Sequence, residues 1–175
     1  MSPRRDAGAG ARLADLFPRL DAWAAGLPAS DAPAARRLLA RRDAAAVERD
    51  PRRLALLEEG LVTDLLATNA VVATPLEVGR ASLAAAVRSS LARLSVAHPG
   101  RLVEVRVPPF GAVQVGVGGA ASVHARGTPP NVVEADAATW LALASGQVAW
   151  ADAVADHRVR ASGVHADLGA LLPLA

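Results

Sequence analysis

The chain reads as an α+β protein in which a helical segment comes first and a mostly antiparallel sheet with helical cover follows. Before Gly100, apolar residues recur every three or four positions, as on one face of a helix; after Gly100 the period changes to two, as on a half-buried strand. From Asn131 onward the boundary residues spell strand, helix, helix, strand, helix. A chain of 175 residues with 52% hydrophobic content suits one ordinary domain, or a small domain with a helical extension, and has ample apolar side chains for a core.

Residues 1–10, rich in Pro, Gly, Ala and charge, read as a frayed tail. Leu13, Leu16, Phe17, Leu20 and Trp23 then form one apolar helical face, with Pro18 as a kink and Gly26 as a stop. Asp31 and Pro33 open a second helix that runs through Arg49. Asp50-Pro51 opens a third, because aspartate caps orphan amides and proline suits the first turn; Leu54, Leu57, Leu61 and Leu65 continue its stripe. A fourth helix, Leu83 to Val96, carries Leu83, Val87, Leu91 and Leu94 and stops at His98-Pro99-Gly100.

Past that stop, Val103, Val105 and Val107 share one strand face and Leu102, Glu104 and Arg106 the other. Val113, Val115 and Val117 repeat the pattern, and Val123 and Ala125 continue it; Pro108-Pro109 and Gly116 to Gly119 supply turns. Asn131 to Ala135 is the next strand. Asp136 caps a helix that Gly146 closes, a short helix surrounds Trp150, and His157 to Ala161 is strand-like. Gly163 breaks that strand and Asp167 to Leu172 reads as a last short helix.

This order, with these residues, resembles the C-terminal half of the sterol carrier protein fold, and in particular its actinobacterial branch. The motifs that carry the resemblance are Val103-Glu104-Val105-Arg106-Val107-Pro108-Pro109-Phe110, Arg126-Gly127-Thr128-Pro129-Pro130-Asn131-Val132-Val133-Glu134, Trp140-Leu141-Ala142-Leu143-Ala144-Ser145-Gly146, and Ala161-Ser162-Gly163 with Ala166-Asp167-Leu168. The set is specific where any one alone is weak. The resemblance begins near Arg80 and leaves the N-terminal part unexplained. It implies a sterol-carrier-type domain over residues 76–175, with about five strands covered by helices on one face, while the helical periodicity makes residues 1–75 an N-terminal extension. It also implies a non-enzymatic carrier that holds a lipid, sterol or fatty acyl chain in a tunnel between sheet and helices, without a cofactor and without catalytic residues.

Composition removes several alternatives. With no cysteine, disulfides, thiolate metal sites and a cysteine nucleophile are excluded. All 19 basic residues are arginine, which raises the isoelectric point, yet Asp and Glu leave a net charge of only +2. Aromatics amount to 3%, so nucleic acid would find neither a strongly basic face nor stacking platforms. Asp15 and Arg19 interrupt any signal-like apolar core and charges recur through the helices, so the expectation is a cytoplasmic protein that does not span a membrane.

An apolar ligand needs a concavity with nonpolar walls and a polar mouth. The wall candidates are the inward sheet face, Val103, Val105, Val107, Val113 and Val115, capped by Phe110, Trp140, Leu143, Trp150, Val154, Leu168, Leu171 and Leu172; the other reading is that they fill one core. Mouth candidates are His124, Arg126 and Asn131. On a strand His124 and Arg126 share a face and can address a carboxylate or phosphate, the alternative being a strand connection with Arg126 paired to Glu134 and Asn131 capping a turn. His157 and His165 lack partners at ligand spacing, so no metal site is expected. Ser122 near His124 lacks an elbow or oxyanion motif.

Two other functions compete with a carrier. A related domain ends mycothiol-dependent maleylpyruvate isomerases, after a helical bundle that binds metal through histidines; here no histidine precedes His98. A protein-interaction scaffold with a filled core would use the 126–134 segment or the arginines Arg36, Arg37, Arg41 and Arg42, although Asp43, Glu48 and Asp50 follow them closely.

Overall fold

The computed structural model describes residues 8–118 and 131–174. The 1–10 tail therefore falls mostly outside the described residues, as do Ser122, the Val123–Ala125 strand, His124, Arg126 and the Arg126 to Pro130 motif. The chain divides into two compact units, Met1–Ala86 and Val87–Ala175.

In the first unit, α1 (Ala9–Ala25), α2 (Ala32–Val47) and α3 (Pro51–Asn69) pack on one another. α1 continues through Pro18, and Gly26 is its C-cap. Asp50 caps α3 as expected, accepting from the amides of Arg52 and Arg53. α2 ends at Val47, short of Arg49, because the Glu48 carboxylate takes the Arg49 and Asp50 amides and turns the chain. These hydrogen bonds hold the Glu48 carboxyl below the usual carboxylate range. Leu13, Leu16, Leu20, Leu38, Leu61 and Leu65 form the apolar core. Beside it, Arg12 grips the buried Glu58 with Nε and Nη2 at 2.7 and 2.6 Å.

α4 (Arg80–Ala97) crosses the division, and its Val87, Leu91 and Leu94 are buried in the second unit. There, β1 (Val103–Val107) and β2 (Gly111–Val115) form an antiparallel hairpin. β3 (Val132–Ala135), α5 (Ala137–Ala144), α6 (Trp150–Ala155), β4 (Val159–Ser162) and a 3₁₀ turn (Gly169–Leu171) follow. The strand order is β2-β1-β3-β4. β3 pairs with β4 antiparallel but with β1 parallel, so the sheet is mixed, and four strands rather than about five stand among the described residues.

Alternation along β1 buries Val103, Val105 and Val107 and leaves Glu104 and Arg106 half-buried on the other face. Val115 on β2 and Val133 and Ala135 on β3 join the buried side, which helices cover. Trp140 of α5 reaches across to α4, where its indole Nε1 donates to Ser90 Oγ at 2.8 Å.

The expected turn at Pro108-Pro109 joins β1 to β2, where the Phe110 amide donates to Val107 O; the Gly116 amide donates to His98 O, tying the end of β2 to the end of α4, and the Gly116 to Gly119 turn runs past the described residues. Two local expectations need correction. β4 starts at Val159 rather than His157, because His157 takes a left-handed conformation (φ 55°) to close α6. The last helix is one 3₁₀ turn, with Asp167 Oδ1 accepting from the Gly169 amide at 2.7 Å. No helix among the described residues is long and apolar enough to cross a membrane.

Candidate functional site

A concavity of about 740 Å³ opens in the second unit beside the end of α5, the start of α6 and the C-terminal 3₁₀ turn. Its apolar walls are Val117, Leu143, Val148, Trp150, Leu172 and Pro173, completed by small residues and by Asp167. This volume lies within the range of small-molecule pockets, and the wall chemistry suits an alkyl chain or ring system better than a polar metabolite.

The sequence places its elements well. Asp136 Oδ1 accepts the Thr139 amide and Oδ2 the Thr139 hydroxyl, fixing the start of α5. At the other end the Gly146 amide donates to Leu143 O with φ 76°, and the chain turns toward Trp150. A Cβ at Gly146 would stand 3.2 Å from Pro173 Cβ, and both residues line the concavity. Gly146→Ala is therefore expected to cost about 1–2 kcal/mol, since a side chain resists the left-handed conformation. Chemical denaturation checks this: an unchanged midpoint would show that the turn is not held as described.

Of the wall residues expected from sequence, Leu143, Trp150 and Leu172 line the concavity. Val105, Val107, Val115, Trp140, Leu168 and Leu171 are buried core residues and Val113 and Phe110 are half-buried; none of them is among the lining residues. The reason is packing: Val103, Val105, Val107 and Val115 are at most 1% exposed, as is Trp140, so none of them borders open space. Val154, one helical turn beyond Trp150, is 39% exposed.

Among the mouth candidates, Asn131 is 2% exposed and ties backbone together. Its Nδ2 donates to Leu102 O at 2.9 Å and its Oδ1 accepts from the His165 amide at 3.0 Å, which leaves it a clasp rather than a free headgroup contact. His124 and Arg126 lie outside the described residues. Glu134 faces Arg160 at 3.6 Å.

Sequence reasoning did not find Val117, Val148, Asp167 or Pro173. Val117 continues the period-two pattern and was assigned to a strand face; Asp167-Leu168-Gly169 carries a turn signal, an Asx side chain two residues before glycine, which could have flagged a rim.

A second, polar cleft of about 360 Å³ lies where β1 and β3 end, lined by Pro108, Glu134, Ala135, Asp136, His157, Arg158 and Arg160. Its charges are largely satisfied internally. Asp136 caps α5, Arg158 reaches Thr139 Oγ1 at 3.5 Å, and Arg160 faces Glu134. On the same sheet face the hydrogen bond that Arg106 Nη2 donates to Glu104 Oε2 raises the Arg106 pKa further and keeps the guanidinium charged. In the first unit, Arg41 pairs with Asp64 and Arg42 with Asp21 and Asp43, so half of the α2 arginine run is engaged within the chain. Among the described residues no group of three or more His, Asp or Glu side chains could hold a metal ion.

A four-stranded mixed sheet under helices, with an apolar concavity at its border, makes the described part of the second unit an α+β domain. The family model described as "Bacterial SCP ortholog" matches residues 79–174, more than half of the chain, and the chain belongs to this family. The resemblance of this part of the chain to the sterol carrier family is thereby borne out. No curated protein matches the chain.

Proposed function

We propose that residues 76–175 form a non-enzymatic carrier domain that holds a hydrophobic small molecule, a lipid, sterol or acyl chain, and that residues 1–75 are a helical extension to it. The observation that carries this reading is the apolar concavity of about 740 Å³ inside the span that matches the family. The site proposed is narrower than the whole sheet face: Leu143, Trp150 and Leu172 remain from the original set, joined by Val117, Val148 and Pro173. The buried valines of β1 and β2 support it as packed core, and the segment holding His124 and Arg126 follows Val117 closely in sequence.

Native mass spectrometry of the purified full chain, followed by denaturing extraction, tests the proposal. The expected result is a stoichiometric excess mass that extraction releases as an apolar molecule. A clean protein mass that also fails to take up added long-chain probes would remove the carrier reading and favour a filled scaffold.

A further inference from the structure

The concavity has walls that do not discriminate among apolar molecules, so selectivity must come from whatever polar atoms meet the ligand's head. Among the described residues lining it, Asp167 is the one ionisable side chain; no arginine or histidine joins it. One carboxylate oxygen is committed, since Oδ1 accepts the Gly169 amide and starts the 3₁₀ turn. That bond also fixes the side chain's direction. A Cβ at Gly169 would lie 3.1 Å from both Asp167 Oδ1 and Trp150 Cδ1, so the carboxylate, the turn and the indole wall are held against one another. Among the described residues no hydrogen bond reaches Oδ2, which remains an acceptor at the edge of an apolar surface.

A carboxylate in that place repels a second carboxylate and accepts from a donor. Resting on the carrier reading, we infer that the site selects amphiphiles whose head donates a hydrogen bond, a hydroxyl or an ammonium, and discriminates against free fatty acids. Asp167 is the specificity-determining residue, and Trp150 the apolar wall beside it. Water at the rim screens the charge, so the discrimination is a matter of about tenfold rather than many orders of magnitude.

The test uses the full chain and three saturated alkyl probes of equal length, ending in a hydroxyl, a primary ammonium or a carboxylate. Each displaces a fluorescent apolar reporter at neutral pH and low salt, below the probe's aggregation threshold. Expected is binding of the hydroxyl and ammonium probes about tenfold tighter than the carboxylate. Asp167→Asn keeps an amide oxygen for the Gly169 turn and should bring the ammonium and carboxylate affinities together. Carboxylate binding tightest to the unaltered protein, or a ranking unmoved by Asp167→Asn, overturns the head preference while leaving the carrier reading intact. Failure of all three probes and of the reporter to bind overturns the carrier reading, and the head preference with it.

Discussion

Trp140→Ala is expected to destabilise the second unit by about 3–5 kcal/mol, the usual cost of emptying a fully buried aromatic position. Two losses combine. The indole buries a large apolar area, and its Nε1 donates to Ser90 Oγ at 2.8 Å, so α5 is joined to α4 by packing and by a hydrogen bond. Ser90 in turn donates to Val87 O, which orients its oxygen toward the indole. Ser90→Ala should cost less, about 1–3 kcal/mol, because it strands the indole N–H without opening a large cavity. Denaturant unfolding followed by circular dichroism checks both. A Trp140→Ala midpoint close to the unaltered protein's would mean that the sheet face is not packed as described, and the inward valines would return as candidates for the ligand wall.

Arg12→Ala should be comparably damaging in the first unit, at about 3–5 kcal/mol. The pair it breaks is a parallel two-bond grip on Glu58, whose side chain is 1% exposed and cannot turn to solvent. The loss measures a stranded buried charge more than the worth of the pair. Replacing both partners by apolar residues of similar size, Arg12→Met with Glu58→Leu, should therefore recover most of the stability. Thermal and urea unfolding of the two variants decide it: a mild effect of Arg12→Ala would show that water reaches Glu58.

Which parts of this molecule could be read in advance follows from how local each signal is. Asp50 before Pro51 and Asp136 before α5 are caps, interactions spanning two or three residues, and both form as the sequence suggests. The alternation of Val103, Val105 and Val107 reports burial on one face, and β1 buries those residues. Alternation carries no information about a neighbour's direction, so the parallel pairing of β1 with β3 was not visible. Nor does apolarity distinguish a wall from a filling. Leu143 and Leu168 are equally buried leucines, and only the first borders the concavity. Asn131 looked like a mouth residue because its local neighbours are prolines, whereas its partners lie 29 and 34 positions away.

The same asparagine has a bearing on how β3 finds its place. Backbone and side chain of Asn131 together address Leu102, Glu104 and His165, so strand β3 enters between β1 and β4 already tied to the chain on both flanks. A slip of one residue would turn Val133 outward and carry Glu134 into the apolar side. It would also pull the amide away from Leu102 and His165. Two unrelated penalties thus fall on one pairing error, and a strand of only four residues acquires a proofreading step that its own length could not supply.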